Sequence, residues 1–85
     1  MIIVDQENKT ILNNYIEIFI NDSADCMNGI LARTLDGTIC TLGEYARLSR
    51  TQMVFNEIVE AYAKGISVFY MPKEWEYEQD WWKID

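Results

Sequence analysis

Asp36-Gly37 stands between two β-prone runs, Ile30 to Leu35 and Thr38 to Leu42. Asp-Gly in that setting favours a two-residue type I′ turn, because both central residues need positive φ. This places an antiparallel hairpin in the middle of the chain, and the rest must pack around it. Tyr15 to Ile20 supplies another strand. Its alternation sets Ile16, Ile18 and Ile20 on one face and Tyr15, Glu17 and Phe19 on the other. Ile2-Ile3-Val4 reads as a short first strand, with Thr10-Ile11-Leu12 returning beside it across the polar turn Asp5 to Lys9.

One helix follows the hairpin. Ser49 with Gln52 three residues on matches a capping box, and the helix is expected from about Arg50 to Lys64. Phe55, Ile58, Val59 and Tyr62 recur at helical spacing and mark its apolar face. Lys64 and then Gly65 suit its C-terminus. Thr41 with Glu44 is a second capping-box pair that would start the helix near residue 42. The strand is instead read as continuing toward Tyr45. Ile66 to Tyr70 is a last strand, ended by Pro72. The order predicts an α+β domain over residues 1–72. It would be an antiparallel sheet of about five strands with the helix on one face. Residues 73–85 form an acidic, Trp-rich tail. The sheet face bearing Tyr15 and Phe19 then needs a cover: the tail, a second copy of the chain, or a partner.

A chain of 85 residues holds one domain with a modest core. With 49% hydrophobic residues it has enough apolar matter to fold. The formal charge is −7, from 14 acids and 7 bases. Such a surface repels phosphate backbones and suits a basic protein partner or plain solubility. The opening Met1 to Asp5 has no basic region and only a short apolar run, so no signal peptide is expected. No stretch approaches the roughly 18 apolar residues of a membrane span. A cytoplasmic location is the expectation. The Asn-x-Ser/Thr matches at Asn8 and Asn21 then carry little meaning.

The residue sets of the common catalytic sites are missing, so the chain is read as a non-enzyme. There is no histidine, and the two cysteines, Cys26 and Cys40, form no CxxC pair, which argues against a metal site. Two free thiols fit a reducing compartment, and spacing alone does not decide against one disulfide. Neither cysteine has a basic cluster beside it to stabilise a thiolate. Asp22 and Asp25 share the polar loop Asn21 to Gly29 and read as turn residues rather than an acid–base pair. That loop lacks the ligand spacing of an EF-hand, and no glycine-rich phosphate loop is present, so no cofactor is implied. Arg33, Arg47 and Arg50 would be the phosphate contacts of a DNA-binding sheet, a thin footprint in so acidic a chain.

The tail is the most unusual segment. Glu74, Glu76, Glu78 and Asp80 interleave with Trp75, Tyr77, Trp81 and Trp82. Extended backbone would send the acids at 74, 76 and 78 one way and Trp75 and Tyr77 the other, whereas a helix would put Trp75 and Trp82 on one face, and likewise Tyr77 and Trp81. The aromatics either fold back over the open sheet face or anchor a partner, since Trp and Tyr dominate interface hot spots. The acids would steer that partner by its basic surface.

Four segments carry a resemblance. They are Met1-Ile2-Ile3-Val4 with its polar turn, Asp36-Gly37 with Leu42-Gly43-Glu44-Tyr45, the helix Val54 to Tyr62, and Val68-Phe69-Tyr70-Met71-Pro72. In these the chain resembles a family of small uncharacterised proteins from low-GC Gram-positive bacteria and their phages. The resemblance implies no established activity and no catalytic residues; the loop Asn21 to Gly29 and the tail depart from its pattern. The expected function is a small protein-interaction module, encoded by a phage or mobile element, that modulates a host protein. An inhibitor occupying a nucleic-acid-binding surface, as some anti-CRISPR proteins do, is one concrete form. The alternatives are a self-associating domain, with Tyr15 and Phe19 on the dimer face, and a weak DNA-binding sheet.

Overall fold

A computed structural model describes residues 1–22 and 27–73. Its elements are β1 (Ile2–Val4), β2 (Ile11–Leu12), β3 (Tyr15–Asn21), β4 (Asn28–Thr34), β5 (Ile39–Tyr45), α1 (Leu48–Ala63) and β6 (Val68–Tyr70). The class is α+β, with mostly antiparallel strands and one helix, as the sequence predicts. The strands are divided between a small sheet, β2-β1-β6, and a large sheet, β3-β4-β5. In the small sheet β1 pairs antiparallel with β2 but parallel with β6. A parallel neighbour needs a long crossover, and the chain between β1 and β6 includes the whole large sheet and α1.

The central hairpin forms, but its turn differs from the expected type I′. Asp36 does not take positive φ; Gly37 does, at 90°. Gly37 N–H donates to the Thr34 carbonyl at 3.0 Å, and Thr34 N–H to the Thr38 carbonyl at 2.9 Å. The loop therefore has three residues, Leu35 to Gly37, with glycine in the left-handed position. The Asp36 carboxylate decides this. It accepts the Thr34 hydroxyl and, at 3.0 Å, the Thr38 N–H, closing the loop from inside. These bonds, the Thr34 one foremost, lower its pKa to about 2.

Two irregularities set which side chains face inward. β3 gains a residue between Tyr15, opposite Thr34, and Glu17, opposite Arg33. The bulge at Ile16 turns Tyr15 onto the same face as Ile18 and Ile20, so strict alternation fails there. β5 has a second shift, where Ile30 pairs with Gly43 and Leu31 with Thr41. Leu42, Gly43 and Tyr45 all reach the core side as a result. A Cβ at Gly43 would stand 3.1 Å from Tyr45 Oη and 3.2 Å from Met71 Cε, so only hydrogen fits without displacement.

The helix begins two residues earlier than the capping box suggests. Its N-cap is Arg47, in extended conformation and with no side-chain cap, and Ser49 lies inside the first turn. The strand running on to Tyr45 leaves room for only a short turn. Buried Asn28 steadies that turn by donating from Nδ2 to the Ala46 carbonyl at 3.3 Å. At the other end, Gly65 (φ 72°) donates to the Tyr62 carbonyl and Ile66 to the Ala61 carbonyl. That pair of bonds is a Schellman C-cap, as Gly65 leads one to expect.

The helix packs on the large sheet through Thr51, Val54, Ile58 and Ala61. The expected face, Phe55, Ile58, Val59 and Tyr62, is rotated partly away from the core. Ile3 and Leu12 from the small sheet join Ile30, Ala32, Leu42, Tyr45, Val54, Ile58 and Met71 in one cluster. Each large aliphatic side chain removed from water there contributes about 1.5–3 kcal/mol.

Gln6 joins the two sheets. Its N–H donates to the Leu42 carbonyl at 2.8 Å. Its side-chain amide then acts like a strand neighbour of β5, accepting from Glu44 N–H at 2.9 Å and donating to the Glu44 carbonyl at 3.1 Å. The same Nε2 reaches the Pro72 carbonyl at 3.3 Å, which also takes the Tyr45 hydroxyl at 2.6 Å.

Candidate functional site

Tyr15 and Phe19, expected on one face, lie on opposite faces of the large sheet. The Ile16 bulge brings Tyr15 against α1, where its ring meets Tyr62 edge-on with centroids 6.4 Å apart. The Tyr62 hydroxyl donates to the Tyr15 hydroxyl, which donates to the Met1 carbonyl at 2.7 Å. Burial first, and then the Tyr62 contact, push the Tyr15 phenol well above its ordinary value. It stays neutral and donating throughout the physiological range.

This tyrosine pair closes one end of a groove between β3 and α1. Ile16, Glu17 and Ile18 form one wall and Phe55, Ile58, Val59 and Tyr62 the other, around a volume of about 210 Å³. Ile16 is 61%, Val59 53% and Tyr62 49% exposed. β3 is the edge strand of its sheet, so its outer backbone groups are unpaired within the described sheet. A free strand edge beside an apolar groove offers main-chain hydrogen bonds and a side-chain pocket together, the two things strand addition uses. The residues that the sequence marks as the helix's core face are thus largely groove lining. Tyr15 joins this groove only through the bulge, which period alone does not reveal.

Phe19 lies on the outer face of the large sheet. Arg33 crosses it, 5.8 Å from the ring centroid, while Arg33 Nε meets Glu17 Oε1 at 2.9 Å. Leu31 and Ile39 share that face by register. The outer face of the small sheet differs. Ile2, Val4, Ile11, Val68 and Tyr70 alternate away from buried Ile3 and its partners Leu12 and Phe69. Ile11 is 69% and Tyr70 67% exposed.

The other nominated residues fall as follows. Glu74, Trp75, Glu76, Tyr77, Glu78, Asp80, Trp81 and Trp82 lie outside the described residues, as do Asp25 and Cys26. Cys40 is a free, half-buried thiol on the inner face of the large sheet. Arg33 sits on the face away from α1, whereas Arg47 and Arg50 belong to the helix and its cap, so the three arginines form no single patch. Among the described residues no three metal-ligating side chains gather, and no helix is long and apolar enough to cross a membrane. No family model, no curated protein and no solved structure matches the chain.

Proposed function

We propose that the chain is a small acidic protein-interaction module that takes an extended, basic segment of its partner along the free edge of β3. The observation that carries this reading is the groove itself, with Ile16, Val59 and Tyr62 open to solvent beside the outer edge of β3, which no other described strand pairs. Charge supplies the partner's chemistry: a formal −7 draws a Lys/Arg-bearing surface and repels nucleic acid. Neither reaction chemistry nor a cofactor is part of the proposal. In the setting that the resemblance implies, a phage or mobile element in a low-GC Gram-positive cell, the module modulates a cytoplasmic host protein by covering its basic surface.

A random-peptide selection on the immobilised full chain tests this. The expected winners alternate apolar with basic residues and are released as salt rises through roughly 0.1–1 M, where exposed charges are screened. An Ile16→Asp/Val59→Asp variant should bind them about tenfold or more weakly, a loss of at least about 1.4 kcal/mol. Winners without basic residues, or binding that the double variant leaves unchanged, would overturn the proposal. Sedimentation of the free chain checks the competing role of this edge: a dimer lost in the same double variant would make a second copy the occupant.

A further inference from the structure

We propose that the β3 edge takes its partner in one register. The partner's strand hydrogen-bonds to Ile18 and Ile20, sets one large apolar side chain between Ile18 and Val59, and turns a Lys or Arg to Glu17. This rests on the strand-addition reading and specifies the segment that the edge selects.

The hairpin fixes which backbone groups are on offer. Thr34 N–H donates to the Thr38 carbonyl, so the backbone of Thr34 points toward β5. Successive residues of an antiparallel strand point their N–H and C=O to alternate sides. Arg33 and Leu31 therefore point to β3, where their partners are Glu17 and Phe19. Leu35 N–H donates to the Asn14 carbonyl at 3.1 Å, as the same alternation requires. Ile18 and Ile20 are left with N–H and C=O turned to the outer edge of the sheet. Upstream, the bulge at Ile16 ends the regular edge, and the Tyr15–Tyr62 contact closes the groove. The stretch that can pair is short, and its place along β3 is set.

Side chains follow from the backbone. A residue of the added strand opposite Ile18 or Ile20 shares their face, toward α1, whereas one opposite Glu17 lies on the outer face. The groove volume beside Ile18, about 210 Å³, is below the roughly 300–1,000 Å³ of small-molecule pockets and suits a single side chain. Phe55, Val59 and Tyr62 make its far wall apolar. On the outer face, Arg33 Nε takes Glu17 Oε1 at 2.9 Å. A carboxylate accepts through both oxygens, so a cation on the neighbouring strand can take the other. β3 holds no base, and Asp22 follows it. A second copy of the chain brings another net −7 to this edge and is the poorer occupant.

Backbone amide exchange of the full chain, followed by NMR, tests the register. The probe is the end-blocked peptide Lys-Val-Lys-Phe-Lys-Val-Lys. In the free chain the Ile18 and Ile20 amides should exchange much faster than those of Glu17 and Phe19, which the ladder to β4 protects. Saturating peptide should slow Ile18 and Ile20 about tenfold or more and leave Glu17 and Phe19 as they were. Lys-Val-Lys-Ser-Lys-Val-Lys keeps the charge without the anchor, and Lys-Lys-Lys-Phe-Val-Val-Lys keeps the composition without the alternation. Each should bind about tenfold or more weakly than the first peptide. Glu17→Gln, at an exposed position, should weaken the first peptide several-fold and leave exchange in the free chain unchanged.

Binding that shifts the signals of Ile16, Val59 and Tyr62 yet leaves the Ile18 and Ile20 amides unprotected would overturn the register and spare the groove reading. Equal binding of the three peptides would reduce the interaction to charge and overturn the proposal. So would no binding of the first peptide, and the selection described above then judges the groove reading by itself. Ile18 and Ile20 amides already protected in the free chain would also overturn it, since the edge would then be occupied; protection that grows with concentration would make a second copy the occupant.

Discussion

On its outer face the large sheet sets Glu17 against Arg33 and lays the Arg33 guanidinium over Phe19, whereas the small sheet offers only Ile2, Val4, Ile11, Val68 and Tyr70. The inner faces of the two sheets meet in one core, through Ile3 and Leu12 on one side and Ile30, Ala32 and Leu42 on the other. The difference lies in what each does with the face it turns away. A charged pair across neighbouring strands tolerates water and shields the ring beneath it. A face of aliphatic side chains and one tyrosine has no such pair, and water is a poor neighbour for it.

The largest test of the comparison is whether the sheets fold as one body. Ile3→Ala in the small sheet and Ile30→Ala in the large one should each cost about 2–5 kcal/mol, since both side chains are fully buried. Both variants should unfold in a single transition followed by circular dichroism and tyrosine fluorescence. Loss of the small sheet alone in Ile3→Ala would break the shared core into two. Next in size is Gln6→Ala, which removes the side-chain bonds to Glu44 and Pro72 and should cost about 1–3 kcal/mol in urea unfolding. A loss no larger than that of an ordinary surface substitution would mean that packing alone holds the sheets together.

The groove side of the large sheet carries a pH signature. Tyr15 has a raised pKa in the folded chain, so folding holds its proton more tightly than the unfolded state, where phenols titrate near 10. Its contribution is complete below about pH 10 and declines as pH rises beyond that. Tyr15→Phe should cost about 1 kcal/mol at pH 7 and flatten the alkaline part of the stability profile. An unchanged alkaline slope would place the titrating group elsewhere. The carboxylate in the hairpin turn acts in the opposite sense. Asp36 has a lowered pKa, so its contribution is present above the unfolded value of about 3.9 and lost as pH falls toward 2. The smallest effect belongs to the outer face of the large sheet. Arg33→Ala should cost about 0–1 kcal/mol, because its pair with Glu17 is half exposed. A clearly larger loss would show that this face is buried in solution.

Local signals in the sequence were enough for the α+β class, all six strands and the helix, because each rests on near neighbours. Asp36-Gly37 places the hairpin, Gly65 ends the helix, and the run Thr38 to Tyr45 stays extended despite Thr41 and Glu44. The helix start was misplaced at Ser49 because a capping box is a preference that tertiary context can override: Asn28, far away in sequence, holds the preceding turn. Of the nominated partner face, Tyr15 does join an exposed groove, but beside Tyr62 and not beside Phe19. Gln6 looked like an ordinary turn residue, and nothing local distinguishes an amide that will bridge two sheets.

What the chain determined by itself is therefore which segments are strands, which is the helix, and the excess of acid over base that sets its field. These follow from backbone preferences and residue counts. Tertiary structure decided the division into two sheets, the parallel seat of β6, and the inward turn of Tyr15. One inserted residue at Ile16 reverses a side chain's face, and a parallel pairing joins strands some sixty residues apart in sequence. Neither depends on near neighbours; both are fixed by the core at Ile3, Ile30 and Val54, where burial of apolar surface outweighs local preference.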